Sequence, residues 1–457
     1  MSPTTVPLSL PLLAAQPVTL AFDGGALSSD AGFLPLTLAD RRLRLGERLA
    51  AALHDPRDPA KIQHPLPLLL RERIFLIAAG YADANDAQTL RQDPVLKVAL
   101  GNAPADPPLA GQSTLSRLEN QVTLADLRRL AAVLVELFVE RCGPAPRRIV
   151  LDLDPFADPA HGAQQGVLFN GHYDCHCYLP LYLCGSIDGG RQYVIGVLLR
   201  DGRAAATKGA RWMLHQLLPV LQARFPGVQI IVRGDGAFGV PLMIEYCRRR
   251  QVDYVFGKPQ NARLHALSEA TQWRAAVQWS VLKTAARPEI SEFRYQAASW
   301  NQAERTICKA EVTVLHGVPK LNPRFVVTSL PADAEWTPAQ VQAFYCERGD
   351  PENRIKEFKN DLEGDRLSCT RSSANQFRLV LHVAAYLLHQ ALQEALAQVA
   401  PGTEWARLQV GTLRVRLLKV AARVVEQGRG VRISLPTDYP WQARWRQLLG
   451  ALQPAAG

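Results

Sequence analysis

The order of apolar patterns between residues 146 and 256 limits the fold of this 457-residue chain more than any other feature. Before residue 146 apolar side chains recur at helical spacing, and a Gly-Pro-Ala-Pro joint then ends that pattern. The segments that follow are strands at 148–154, 177–184, 192–199, 228–233 and 253–256, and helices at 208–224 and 240–250. The order βββαβαβ predicts an α/β fold with a mixed sheet, because crossover connections place helices on the faces of a sheet.

Charge and composition narrow the class of protein. Fifty-two Lys and Arg residues against 42 Asp and Glu residues give a formal net charge of +10, which favours polyanionic partners, nucleic acid first. A hydrophobic content of 47% excludes a disordered or collagen-like chain. No apolar stretch reaches the roughly 18 residues that a membrane-spanning helix requires. The eight cysteines are too few for a disulfide scaffold. We therefore expect a cytoplasmic, reduced protein without a membrane partner.

Five regions follow from these patterns. The segment order matches an RNase H-like core, which we expect to be interrupted by a β-rich insertion with strands near 275–282, 292–298, 306–315 and 324–329. The predicted regions are a helical N-terminal DNA-binding or assembly domain at 1–145, the first part of the core at 146–268, the insertion at 269–331, the second part of the core at 332–395, and a helical basic region at 396–457.

Acidic residues stand at the ends of two predicted strands. Asp152 and Asp154 end the first strand and share one face, because side chains alternate along a strand. Asp235 follows an apolar strand between two glycines, which allow backbone or ligand to come close. Carboxylates at the carboxyl edge of a sheet are suited to a hard divalent cation. Taken singly, each of these acids is more typical of a turn or a helix cap.

A third acid lies in a charged segment near residue 350. Tyr345, Arg348, Glu352 and Lys359 would share one face of an uninterrupted helix. Asp350-Pro351 is instead typical of an N-cap followed by Pro at the first helical position, which would divide or kink the helix. Alternatively, these four residues form a charged helix face that is simply exposed to solvent.

This spacing resembles a known family signature. Tyr345-x2-Arg348-x3-Glu352-x6-Lys359 matches the Tyr-Arg-Glu-Lys signature of DDE transposases from bacterial insertion sequences. Further segments, at 151–154, 161–164, 169–174, 199–200, 233–235 and 374–378, are similar to the insertion-sequence family numbered thirteen-eighty. The resemblance extends over nearly the whole chain.

The resemblance implies a catalytic triad of Asp154, Asp235 and Glu352 that holds two Mg2+ ions, for which Mn2+ can substitute. In the wider superfamily Thr often follows the first acid by two positions, whereas Phe156 stands there in this chain, so Asp152 stays a competing metal ligand. Two such ions can activate the attacking oxygen and stabilise the leaving oxygen of an in-line displacement at phosphorus. Tyr345, Arg348 and Lys359 would then contact DNA phosphates.

The sequence thus predicts a DNA transposase that cleaves the inverted repeats at the ends of its insertion sequence and joins them to double-stranded target DNA. We expect at least a homodimer on DNA, with contacts in the N-terminal region or after residue 396, because two ends must be held while each chain supplies one triad. An RNase H-like nuclease that does not join strands and a catalytically inactive, transposase-derived DNA-binding protein are the alternatives. A glycosidase with paired carboxylates is more distant.

Other features carry weaker predictions. Trp300 could stack on an unpaired base, although a core or turn tryptophan is the commoner case. The segment 113–117 could start a recognition helix, although equivalent helix starts occur in any helical bundle. The His and Cys residues at 172–184 match no zinc-finger spacing. A predicted helix at 413–425 carries a basic stripe that is either a solvated face or a DNA track: Arg414, Arg416, Lys419 and Arg423.

Overall fold

The computed structural model describes residues 8–9, 18–160, 162–283 and 286–453, apart from the side chains of Leu8, Ser9, Leu315, Asp350, Pro351 and Glu352. His161, part of one segment of the family resemblance, lies outside the described residues. The chain divides into two compact units. The sheet unit comprises Leu127–Lys356 and Leu367–Val383, and the terminal unit comprises Met1–Asp126, Glu357–Arg366 and Ala384–Gly457.

The sheet unit contains a large mixed sheet and a small antiparallel one. Its strands are β1 (Arg148–Pro155), β2 (Asp158–Pro159), β3 (Leu168–Asn170), β4 (Cys175–Tyr178), β5 (Leu181–Ile187), β6 (Gln192–Leu198), β7 (Gln229–Gly234), β8 (Asp253–Lys258), β9 (Glu289–Tyr295), β10 (Glu304–Leu315) and β11 (Val318–Thr328). Its helices are α1 (Ala210–Arg224), α2 (Pro241–Arg249), α3 (Ala262–Leu267), α4 (Glu269–Leu282), α5 (Pro338–Cys346) and α6 (Gly349–Lys356). The helices Leu124–Arg141 and Ser372–Val399 contribute to both units.

The strand order of the large sheet is β9-β10-β11-β8-β7-β1-β5-β6. Strand β7 is parallel to β1 and β8, whereas β5 is antiparallel to β1 and to β6. The prediction of an α/β fold with a mixed sheet is confirmed. The five strands from β6 to β8 are compatible with the RNase H-like core that the segment order predicts.

The two faces of the large sheet are covered differently. Leu151 and Leu153 of β1 point into a core that includes Leu214 and Leu217 of α1. On the other face, Ile231 of β7 and neighbouring apolar residues pack with α5. Asp152 and Asp154 alternate with the two leucines, so the predicted shared face of the acids is the one on which α5 packs.

Two of the strands predicted in this unit differ from the structure. The strand predicted at 177–184 is divided into β4 and β5, and Pro180 lies between them. The strand-like segment predicted at 275–282 is wrong, because these residues belong to helix α4. Val and Trp in that segment favour strands, but Thr271 and Ala275 are buried while Trp273 between them is 66% exposed, which fits the period of a helix and not the alternation of a strand. The rest of the predicted insertion extends the large sheet, since β11 pairs with β8.

The charged segment near residue 350 forms two helices. Thr337 caps α5 with a complete capping box to Gln340, and α5 ends at Cys346. Helix α6 starts at Gly349, so Asp350 and Pro351 lie in its first turn. Of the alternatives that the sequence left open, the structure has the divided helix.

The terminal unit is largely helical. Its helices include Phe33–Leu43, Leu45–Ala51, Leu66–Ala78, Asp86–Leu90, Pro94–Ala99, Gln112–Gln121, Val410–Leu413 and Gln442–Leu452, with short 3-10 turns at Pro59–Lys61 and Glu404–Arg407 and π-helical segments at Glu357–Asp361 and Arg414–Leu418. Strand Ala422–Gln427 pairs with Gly430–Ser434 and Leu27–Ser28, and Leu8–Ser9 pairs with Thr19–Leu20. Within the described ranges, no helix has the length and apolar character that crossing a membrane requires.

The helix predicted at 413–425 is therefore wrong after Leu418, where the chain turns into strand Ala422–Gln427. Its basic residues do not form one helical stripe. Arg416 pairs with Glu404 at 2.9 Å and Lys419 with Asp30 at 2.7 Å. Arg414 donates a hydrogen bond to the Asp361 carbonyl. Three of the four basic residues are therefore engaged in contacts within the terminal unit.

Candidate active site

Two predicted acids are neighbours at the carboxyl edge of the large sheet. Parallel strands β1 and β7 are in a register that places Gly234 opposite Leu153, so the next residue of each strand, Asp235 and Asp154, comes side by side. The Asp235 side chain accepts a hydrogen bond from the Ala237 amide at 2.9 Å and stays partly exposed. The carboxyl ends of neighbouring parallel strands thus bring together acids that are 81 positions apart in the sequence.

Asp152 has a different environment from Asp154. It is 1% exposed, and the Arg233 guanidinium donates to both of its oxygens, from Nε at 2.6 Å and from Nη2 at 3.0 Å. Gln192 Nε2 donates to Oδ2 at 2.9 Å. A carboxylate whose two oxygens are engaged in this way is poorly placed to bind a cation. Which of the two acids is the first metal ligand stays a prediction, with Asp154 in the register that the family resemblance implies.

Arg233 also connects the sheet to α5. Its Nη1 donates to the carbonyl of Phe344, and its guanidinium carbon lies 4.8 Å from the centre of the Phe344 ring. Glu347 approaches the same nitrogen at 3.8 Å. The buried pair of Asp152 and Arg233 therefore fixes the end of α5 that precedes Arg348. This role of Arg233 was not predicted from the sequence. The signal for it was a single Arg in an otherwise apolar strand, because a buried Arg needs a partner.

Tyr345 and Arg348 lie beside the two acids. Arg348 Nη2 is 3.3 Å from Asp154 Oδ1. The Tyr345 hydroxyl lies on Gly257 of β8, where a Cβ would come within 2.5 Å of it. Burial raises the pKa of Tyr345; the positive charge of Arg348 opposes that rise, and the negative charges of Asp235 and Asp154 add to it. Tyr345 is thus a neutral phenol at pH 7, within the field of both acids.

The remaining members of the signature are described in part. Helix α6, which carries Glu352, lies beside β1 and β6. Lys359 is in the π-helical segment Glu357–Asp361 of the terminal unit, where its Nζ lies 3.7 Å from Asp365 Oδ2. Where side chains are described, no three His, Cys, Asp or Glu residues form a group that could hold a metal ion. Asp154 and Asp235 provide two hard oxygen donors, the type of ligand that Mg2+ prefers.

Trp300 is part of the core. It is 6% exposed, its ring meets Tyr295 edge-on at 5.3 Å between centres, and Lys258 Nζ lies 4.9 Å from the ring centre. A ring enclosed in this way has little surface for a base, so the structure supports the core role and not the stacking role. Among the predicted His and Cys candidates, Cys177 and Cys184 are buried, whereas His172 and His176 are exposed.

Comparison with known proteins places this geometry in a family. No curated protein matches the chain. A family model described as transposase DDE domain group 1 matches residues 10–456, which is nearly the whole chain and includes all the candidate acids. The mixed α/β architecture and the acids at the sheet edge agree with that match. The chain therefore belongs to the transposase DDE domain group 1 family.

Proposed function

We propose that this protein is a DNA transposase that cuts the ends of its insertion sequence and joins them to double-stranded target DNA by metal-dependent phosphoryl transfer in the bacterial cytoplasm, at the nucleoid. The observation that carries the proposal is the pairing of Asp154 and Asp235 at the carboxyl edge of the sheet, in a chain of the DDE family. The net charge of +10 favours the same polyanionic substrate.

Asp154, Asp235 and Glu352 would hold the divalent cations, Mg2+ or in its place Mn2+. When bound, such ions activate the attacking oxygen and stabilise the leaving oxygen. Arg348 would offer a planar fork to a phosphate next to Asp154, and Tyr345 a neutral phenol as hydrogen-bond donor. Lys359 would add a point charge against the DNA backbone.

The test uses the full chain and linear DNA that carries the segments flanking the gene. With Mg2+ we expect cleavage at the element ends and joining of those ends to a supercoiled plasmid. Asp154→Asn and Asp235→Asn should each lower cleavage by roughly three orders of magnitude or more, because each removes a metal ligand, while binding of end DNA persists. Glu289→Gln, a carboxylate of β9 away from the strand-end acids, is the matched control and should cleave normally.

The outcomes separate the alternatives. Cleavage without joining identifies a nuclease of the same fold. Specific binding without cleavage by the unmodified chain identifies an inactive derivative of a transposase. Near-normal cleavage by Asp235→Asn would overturn the proposed site.

A further inference from the structure

One cation of the predicted basic stripe is free in the described part of the chain. Three of the four residues in that stripe have partners, whereas Arg423 is exposed and no described residue forms an ion pair or hydrogen bond with its side chain. Arg423 lies in strand Ala422–Gln427, which pairs with Gly430–Ser434 in a hairpin that we call the basic ribbon. The ribbon adds Arg429 and Arg432, which are likewise exposed and unpaired among the described residues.

The basic ribbon projects into solvent as a two-stranded arm. A third strand, Leu27–Ser28, pairs with two residues at its base. Every residue from 426 to 432 is exposed, so both faces of this part of the ribbon are open. Gly428 and Arg429 form the two-residue turn at the tip. The φ of Gly428, 56°, suits the first position of such a hairpin turn, and a Cβ there would meet nothing within 4 Å.

One face of the ribbon carries positive charge alone. The register places Arg432 opposite Val425, and Arg423 precedes Val425 by two positions on the same face. Arg423 and Arg432 are therefore diagonal neighbours across the two strands. The ribbon has a single acidic residue in its sequence, Glu426, and strand alternation puts Glu426 on the opposite face. Two neighbouring guanidinium groups repel each other, and a bound anion would relieve that repulsion.

The form of the arm suits a polyanion with regularly spaced charges. Its five residue pairs extend about 14 Å at 3.4 Å per residue, and the major groove of DNA is about 12 Å wide. An arm of this length can lie across a groove and reach the phosphates on its borders. The guanidinium group offers a planar fork that binds phosphate oxygens in pairs.

We propose that the basic ribbon binds the phosphate backbone of double-stranded DNA through Arg423, Arg429 and Arg432. The choice of DNA as the ligand rests on the proposed function. Phosphate contacts fix the position of a protein on a duplex but carry no sequence information. The ribbon therefore holds the duplex without reading its sequence, and it does so at a surface separate in sequence from the candidate acids.

The experiment measures binding of the full chain by fluorescence anisotropy between 50 and 200 mM KCl, with EDTA present so that no cleavage occurs. The probes are duplex DNA that carries the segments flanking the gene and an unrelated duplex of equal length. Arg423→Gln/Arg432→Gln should lower the salt slope of log K by about two and weaken binding about tenfold or more, equally on both duplexes. Arg429→Gln should lower the slope by about one. Arg423→Lys/Arg432→Lys keeps the charge and should keep the slope.

Arg42→Gln/Arg44→Gln is the matched control. It removes the same charge from exposed positions of the same unit, and Arg44 already pairs with Glu47. The control should retain the salt slope of the unmodified chain. Equal reductions in the ribbon variant and the control would show an effect of net charge and overturn the proposal. A loss of affinity confined to the flanking DNA would indicate base reading and overturn the phosphate assignment.

Cleavage by the unmodified chain with Mg2+ separates this proposal from the transposase proposal. Cleavage at the element ends together with an unchanged salt slope in Arg423→Gln/Arg432→Gln would remove the ribbon contact and leave the transposase proposal standing. A reduced slope on both duplexes in a chain that never cleaves would support the ribbon contact and remove the transposase proposal.

Discussion

At the residue scale, two aspartates on one face of β1 have different partners. The carboxylate of Asp152 meets a guanidinium of which 2% is exposed, so the pair is enclosed. The side chain of Asp154 is 12% exposed, and that of Arg348, whose Nη2 lies 3.3 Å from Asp154 Oδ1, is 16% exposed. Removal of one partner destabilises a protein most when the ion pair is fully enclosed, as the pair of Asp152 and Arg233 is.

Asp152→Asn should therefore destabilise the fold. The substitution removes the buried carboxylate that Arg233 Nε and Nη2 bind, and we expect a loss of roughly 3 kcal/mol in the free energy of unfolding. Asp154→Asn should destabilise the fold less, because the Asp154 pair is less enclosed, but should lower cleavage far more. Urea denaturation and end cleavage at 20 °C measure the two effects. Unchanged stability together with abolished cleavage in Asp152→Asn would make Asp152 the metal ligand.

A second residue-scale prediction concerns Glu72 in the helix Leu66–Ala78. Its side chain is fully buried, and burial raises its pKa from 4.5 to about 8. Glu72 Oε2 accepts from the Ala110 amide at 3.2 Å. The native carboxyl thus keeps its proton where the unfolded chain releases it, so the free energy of unfolding falls as pH rises from about 4.5 to about 8.

Glu72→Gln should remove this pH dependence. The amide oxygen can still accept from Ala110, and no charge has to be buried. We expect stability equal to that of the unmodified chain near pH 4.5 and roughly 2–4 kcal/mol greater at pH 8, measured by urea denaturation across this range. Glu426→Gln, at an exposed position of strand Ala422–Gln427, serves as the control. If the free energy of unfolding varies with pH in the same way in Glu72→Gln and in the unmodified chain, Glu72 is not the source of the pH dependence.

At the element scale, the site depends on how closely α5 approaches the edge of the large sheet. Gly257 of β8 makes that approach possible, since a Cβ there would come within 2.5 Å of the Tyr345 hydroxyl and 2.8 Å of the Gly236 amide nitrogen. Arg233 of the neighbouring strand β7 holds the end of α5 through its contacts with the carbonyl and the ring of Phe344. The position of Tyr345 and Arg348 is thus determined by two strands together.

Gly257→Ala should displace Tyr345 or the backbone around Asp235. We expect a loss of 1–3 kcal/mol in stability, about what overpacking costs, and a drop in cleavage of about tenfold or more. Gly196→Ala in β6 is the matched control, because its Cβ would lie 3.6 Å from Met213 Cε, an ordinary contact. Urea denaturation and end cleavage are compared for both variants. Equal cleavage by the two alanine variants would show that cleavage does not depend on the close approach of α5 to β8.

At the scale of the whole molecule, each chain carries one pair of strand-end acids, whereas joining two transposon ends requires two sites. We expect at least a dimer when end DNA is bound. Light scattering with and without end DNA gives the mass, and the strand-transfer activity of each separated species shows which one is active. Strand transfer by a complex with a single chain would contradict the prediction.

The sequence by itself determined the features that depend on neighbours a few residues apart. Strand alternation placed Asp152 and Asp154 on one face, and the glycines around Asp235 marked the end of β7. Thr337 and Pro338, an N-cap residue followed by Pro at the first helical position, start α5. Each of these signals arises from local backbone geometry, which the residues on either side largely set.

Only the tertiary structure decided which of the two acids pairs with Arg233. Asp152 and Arg233 are 81 residues apart, and their pairing follows from the register between β1 and β7, which no local pattern reveals. The burial of Trp300 likewise depends on the strands and helices packed around it. Helix α4 contains residues that favour strands, but it is helical because of the way Ala275 packs. Lys359 shares the signature of Arg348 in the sequence yet belongs to the terminal unit, because compact units are defined by packing and not by spacing along the chain.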